Sequence, residues 1–157
     1  MFVVGGCRPI REPFPLGPVV EALQTAGGAL NTAALSPVAG ALRPLLPELA
    51  DLLPPKPEPL DDRTAERHRL FRGLREVLAA LGPAVLVLED MHWADEQTVD
   101  FLAYLLDTPP PELGVVLTYR EDEVHLAVRT ATARPAPAIT RSQVTLRPLD
   151  AERTGVL

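Results

Sequence analysis

The stretch VLVLEDMHWAD, residues 85–95, decides the reading of this chain. With Ala84 it forms an unbroken apolar run, Ala84 to Leu88, that stops abruptly at two adjacent acids, Glu89 and Asp90. So short a run, without polar residues at alternate positions, predicts a strand buried on both faces, as in a parallel sheet. Upstream, Leu70, Phe71, Leu74, Val77, Leu78 and Leu81 recur at helical spacing, which predicts a helix over Thr64 to Leu81. Gly82 and Pro83 supply its stop. Downstream, Asp95 is placed to cap a second helix through Leu106, with Val99, Leu102 and Leu106 facing inward.

The pattern then repeats. TPPPEL (108–113) breaks that helix, and GVVLTY (114–119) reads as a second buried strand ending at a charged residue, Arg120. At the front, MFVV reads as a short strand stopped by Gly5 and Gly6. A proline-punctuated loop, REPFPLGP, follows, and Pro18 suits the first turn of a helix through Val19 and Leu23. Another short helix is expected to open at Ser36 and Pro37, with prolines 44 and 47 interrupting what comes next. LLPPKPEPLDD (52–62) reads as an extended, internal Pro-rich linker. EDEVHLAVRTATARPAP is weakly helical at most, and SQVTLRPL (142–149) reads as a further strand. Helices alternating with buried strands predict an α/β fold on a parallel sheet.

Composition narrows the function classes. At 157 residues the chain fits one domain; 46% hydrophobic and 23% charged residues describe a globular chain rather than a disordered one. A formal charge of −6 argues against direct nucleic-acid contact by this segment, because such domains carry a basic face. The single Cys7 excludes an internal disulfide and a multi-cysteine zinc framework, and it reads as a buried, inert thiol. No apolar run approaches the ~20 residues of a membrane helix. MFVVGGCRPIREP lacks the charged lead and long apolar core of a signal peptide, so the cytoplasm is the expected compartment. Only Ser36 and Ser142 are serines, and neither G-x-S-x-G nor H-E-x-x-H occurs, so serine-hydrolase and zinc-protease chemistry has no support. The arginines of RTAERHRLFRGLR read as a solvated helix face, His68 and His125 as surface residues, and His92 and Trp93 as packing beneath the site.

Ligands of open parallel sheets sit beyond the carboxyl ends of the strands. Two expected strands end there in charge: Glu89 and Asp90 after one, Arg120 after the other. Acids at that edge hold Mg²⁺ directly or through water and orient an attacking water, and a neighbouring arginine senses a terminal phosphate. From spacing alone the same pattern also suits ordinary solvated strand ends.

The wider wording, VLVLEDMHWADEQTVDFLAYLL followed by GVVLTYREDEV, resembles the signal-transducing P-loop ATPases. More narrowly it is similar to the ATPase region of the large ATP-binding regulators of the LuxR family, whose prototype activates maltose genes. In that family a Walker B strand runs into an HWAD segment, and the next strand ends in a Thr-x-Arg sensor. The matching residues are Glu89 and Asp90, His92 to Asp95, and Thr118 to Arg120. CRPIREPFPLGPVVEAL (7–23) resembles the stretch after the family's second strand, and VTLRPLDAERTGVL resembles its fifth strand leading toward the winged helix. The resemblance implies an α/β, three-layer αβα P-loop NTPase fold, present in part over residues 1–157, from the second strand to just after the fifth. It implies ATP and Mg²⁺ as ligands, Glu89 and Asp90 on the metal side, Asp90 also as the catalytic, water-orienting acid, and Arg120 as the sensor of the terminal phosphate. Similar modules accompany nucleotide cyclases and protein kinases, so the output stays open.

Two departures shape the expectation. Glu89 stands where the family's Walker B strand has aspartate, and adjacent strand residues face opposite sides, so one of the two acids is expected to face the metal directly. The phosphate loop G-x-x-x-x-G-K-[ST] is not in the sequence: Lys56, the only lysine, lies in PPKPEP. In the family that loop, with its strand and helix, comes just before the strand that MFVV resembles, so the chain is expected to be a fragment missing its phosphate-binding strand and helix. The family's sheet order then places GVVLTY and SQVTL on either side of a vacancy two strand spacings wide, roughly 10 Å. Such edges invite self-association or pairing with an intact relative. The loss of even three phosphate contacts costs on the order of 5 kcal/mol, over a thousandfold in affinity. ATP binding by these residues alone is therefore expected to be poor, and the alternative is a truncated, non-catalytic module acting by protein pairing.

Overall fold

The structure, a computed structural model, describes residues 1–9, 14–133 and 139–146. Three parallel strands, β1 (Phe2–Gly6), β2 (Ala84–Glu89) and β3 (Leu113–Leu117), lie side by side in that order. Phe2 pairs with Val85 and Val85 with Gly114, so the carboxyl ends of β2 and β3 finish level. Between them run α1 (Gly17–Gln24), α2 (Arg63–Ala80) and α3 (Glu96–Asp107), and α4 (Leu126–Ala133) follows β3. This is a partial P-loop NTPase-like α/β fold.

The helices begin and end where side-chain chemistry requires. Asp62 caps α2 by accepting the Thr64 N–H at 2.7 Å, and Gly82, at φ 68°, takes the left-handed position beyond its end. Asp95 caps α3 through the Thr98 N–H at 3.0 Å. Phe71 of α2 meets Phe101 and Tyr104 of α3 with ring centroids 5.5 and 5.8 Å apart, which locks the two helices together. Pro37–Leu42 and Pro47–Leu52 form 3-10 turns, the first capped by Ser36. Gly73 of α2 lies close against Val38 and Leu42, seating the first turn on the helix.

The strands are not buried on both faces, as their apolar runs predict. Val3, Leu86 and Leu88 are fully buried, whereas Phe2, Val4 and Val116 on the alternate face are 72%, 42% and 45% exposed. The reason is handedness. Parallel crossovers are right-handed, so two crossovers stepping the same way, β1 to β2 to β3, lay their helices on one face. The outer edge of β3 is also unpaired among the described residues. Beside it opens a cleft of ≈ 980 Å³, bounded by Val115, Leu117 and Tyr119 on the β3 side and by Ile139, Val144 and Leu146 on the other. The strand expected over 142–149 is not formed across 142–146, which is irregular and exposed; 147–149 lie outside the described residues. With no strand beside it, this segment has no ladder to join. EDEVHLAVRTATARPAP holds a clear helix, α4, pinned by the buried Val128.

Candidate functional site

The loops that leave β2 and β3 are joined by hydrogen bonds. The Thr118 N–H donates to the Leu88 carbonyl at 3.1 Å, and the Met91 N–H donates to the Thr118 carbonyl at 2.8 Å. Between them the Asp90 N–H donates to Thr118 Oγ1 at 3.1 Å. Glu89, Asp90, Thr118 and Arg120 are therefore carried to one edge of the sheet. Glu89 is the last strand residue and, by alternation, shares the open face with Val85 and Val87. Asp90 leaves the strand in the left-handed conformation, φ 54° and ψ 41°, one that aspartate tolerates better than most residues.

Arg120 does not reach the two acids directly. Its Nη1 donates to Glu123 Oε1 at 3.0 Å, while both side chains stay exposed. The turn from Met91 to Trp93 tucks His92 under the edge, fully buried, with Trp93 against it at a centroid distance of 4.4 Å. His68 and His125 are exposed, in accord with their expected surface placement. Cys7, at the end of β1, gives its N–H to the Glu89 carbonyl at 2.9 Å, and its thiol lies 3.8 Å from Met91 Sδ. Burial pushes the Cys7 thiol up to about 12, helped by the negative charges of Asp95, Asp90 and Glu21, so it is an inert group as its sequence context implied.

The donor set fits Mg²⁺ in a limited way. Among the described residues no group of three or more His, Cys, Asp or Glu side chains converges on a point. Mg²⁺ does not need one: it keeps several waters and takes one or two carboxylates plus phosphate oxygens. Glu89 and Asp90 suit that part, and the pattern G-x-x-x-x-G-K-[ST] does not occur in the sequence.

A family model described as the AAA ATPase domain matches residues 1–118, a span that runs from β1 through the Thr118 junction. The chain belongs to the AAA ATPase domain family. Comparison with curated proteins and with solved structures found no match. No helix among the described residues is long and apolar enough to cross a membrane. AAA ATPase domains use ATP and Mg²⁺ as a family.

Motif reading places Thr118 in the sensor segment without foreseeing its bond to the Asp90 N–H, and it passes over Glu123. Glu123 sits in an acid-rich turn that looks like ordinary solvated surface, and only its spacing of three from Arg120 hints at a partner.

Proposed function

We propose that this chain is the Walker B and sensor part of an ATP-dependent switch domain of a LuxR-family transcriptional regulator. Glu89 stands on the metal side, Asp90 is the water-orienting acid, and Arg120 reads the terminal phosphate. The observation that carries the reading is the junction at Thr118, which holds the acids at the end of β2 and the arginine after β3 at one carboxyl edge. Mg²⁺, when bound, would supply charge neutralisation of the phosphates; Glu89 and Asp90 would hold it, and Arg120 would detect the anion.

The reading assigns the phosphate-binding strand, loop and helix to polypeptide outside these 157 residues. A strand along β3 suits the open cleft, and a crossover returning from there to β1 runs in the reverse direction. By the same handedness its helix falls on the open face of Phe2, Val4 and Val116. That open face and edge also favour a second reading, a non-catalytic module that pairs with an intact relative or with itself.

Titration of the chain with Mg²⁺ and ATP, with and without a strand-loop-helix peptide carrying G-x-x-x-x-G-K-[ST], separates the two. The switch reading expects Mg²⁺-dependent binding that appears with the peptide and is lost in Asp90→Asn with Glu89→Gln. A peptide that docks without bringing any nucleotide binding overturns it in favour of the pairing module.

A further inference from the structure

Beyond the nucleotide reading, we propose that a pocket walled by α4, the turn after β3 and the segment 139–146 binds a small phosphate monoester that carries a hydroxyl group. The pocket has a volume of ≈ 190 Å³ and is lined by Tyr119, Glu121, Arg129, Thr132, Arg141 and Gln143. That is several times the ~30 Å³ of one water, room for a few carbons rather than a nucleoside. It adjoins the cleft beside β3, but Glu89, Asp90 and Arg120 do not border it. Arg129 and Thr132 are three residues apart on α4 and so share a face, and the buried Val128 holds the helix in place.

The charge of this pocket runs against that of the chain. Acids outnumber bases 21 to 15 in the sequence, yet among the described residues no carboxylate forms an ion pair with Arg129 or Arg141. Arg129 gives Nη2 to the Glu121 carbonyl, and Arg141 gives Nη2 to Gln143 Oε1 at 2.8 Å. Both acceptors are neutral, so they orient the two guanidinia without cancelling either charge. Two cations against the single acid Glu121 leave the lining positive. Each guanidinium keeps further N–H donors, a fork that matches phosphate oxygens.

The neutral groups define the rest of the ligand. With its oxygen taken by Arg141, Gln143 offers its amide N–H₂. Thr132 Oγ1 turns its proton to the helix, 2.9 Å from the Val128 carbonyl and 3.1 Å from that of Arg129, and so faces the pocket as an acceptor. A phosphate dianion answers both guanidinia and the Gln143 amide, and a hydroxyl on its carbon chain donates to Thr132.

The ¹⁵N-labelled 157-residue chain is titrated with glycerol 3-phosphate at pH about 7.5, where the ester is mostly a dianion, and followed by the amide shifts of Arg129, Thr132, Arg141 and Gln143. Arg129→Gln and Arg141→Gln are each expected to weaken binding about tenfold or more, the worth of a charge-assisted hydrogen bond. Arg72→Gln removes the same charge from an exposed position on α2 and should stay within about twofold of wild type. Methyl phosphate, which lacks the hydroxyl, should bind about fivefold more weakly than glycerol 3-phosphate to wild type, and equally to Thr132→Val. Should Arg129→Gln loosen the turn at Glu121, Arg141→Gln on the opposite wall carries the same test. Equal losses in Arg72→Gln, Arg129→Gln and Arg141→Gln would reduce the effect to net charge and overturn the site. Binding that is lost in Arg120→Gln and kept in Arg129→Gln and Arg141→Gln places the anion at the sheet edge and overturns it too, as does the absence of any saturable shift at the four residues.

Discussion

Asp95 accepts the backbone N–H of Leu16, 79 residues away in sequence, at 3.4 Å, with the same oxygen that accepts the Thr98 N–H and caps α3. One carboxylate thus joins the starts of α1 and α3. Leu16 is 1% exposed and sits at φ 60°, a left-handed conformation that costs a bulky residue about 1–2 kcal/mol and persists only where its surroundings hold it. Asp95→Ala removes a helix cap worth about 1 kcal/mol and leaves the Leu16 amide without its acceptor. A total loss of about 2–3 kcal/mol is expected in urea unfolding. Asp95→Asn, still a good cap, should lose less than half of that. Equal losses in the two variants would show that charge, not the paired hydrogen bonds, is the main contribution.

Two adjacent glycines at the end of β1 make a sharper contrast. A Cβ on Gly5 falls 1.8 Å from the Pro18 carbonyl oxygen, because α1 lies directly on the strand there. A Cβ on Gly6 meets nothing within 4 Å. Gly5→Ala must push helix backbone away and is expected to cost about 3 kcal/mol or more, whereas Gly6→Ala should stay within about 1 kcal/mol of wild type. Paired thermal or urea melts decide it; similar stabilities for the two variants would mean that α1 is free to shift.

The contrast between what these motifs announce and what they leave out has a physical basis. Periodicity and stop chemistry expose α2, because Leu70 to Leu81 repeat every three to four residues and Gly82 accepts a left-handed φ that few others do. Asp95 announces α3 just as directly. The open sheet face is illegible locally: Val85 and Val87 read like Leu86 and Leu88, and only the handedness of successive crossovers separates the faces. The turn at Pro37–Leu42 opens where Ser36 and Pro37 announce it, whereas the one at Pro47–Leu52 falls where the prolines read only as interruptions. Prolines mark where they begin, but Gly40 packing against the Pro54 and Pro55 carbonyls is a tertiary contact. The acids and the arginine are readable as charges at strand ends. The Arg120–Glu123 pair and the two carboxylates facing His92 depend on where the loops fold.

The Asp90 backbone gives a test of local strain. At φ 54° it carries the left-handed penalty that Asp and Asn bear lightly and Ala does not. Asp90→Asn should be near neutral for stability and Asp90→Gly neutral or slightly stabilising, while Asp90→Ala loses about 1 kcal/mol. Thr118→Val removes the acceptor for the Asp90 N–H and is expected to cost a further ~1 kcal/mol. Urea midpoints for the four variants supply the ranking, and an Asp90→Ala variant as stable as Asp90→Asn would argue against the left-handed turn.

Cys7 gives the pH dependence. Its thiol lies at about 12 in the folded chain against an ordinary value of 9.0, raised by burial and then by the charges of Asp95, Asp90 and Glu21. Between those values the folded state keeps the proton and the unfolded state has lost it, so fewer protons are bound on unfolding and stability falls as pH rises. Below pH 9 the contribution is fully present. Cys7→Ala removes this linkage while lowering stability at every pH through the lost packing of the sulfur against Met91. The expected readout is a wild-type stability that declines more steeply than that of Cys7→Ala between pH 9 and 12, with the two curves parallel from pH 6 to 8. Alkylation by iodoacetamide should, over the lower range, follow the rate of unfolding rather than the rate for a free thiolate. Parallel curves through the alkaline range would place the thiol in contact with solvent, and with it would go the close packing of β1 on the Met91 turn.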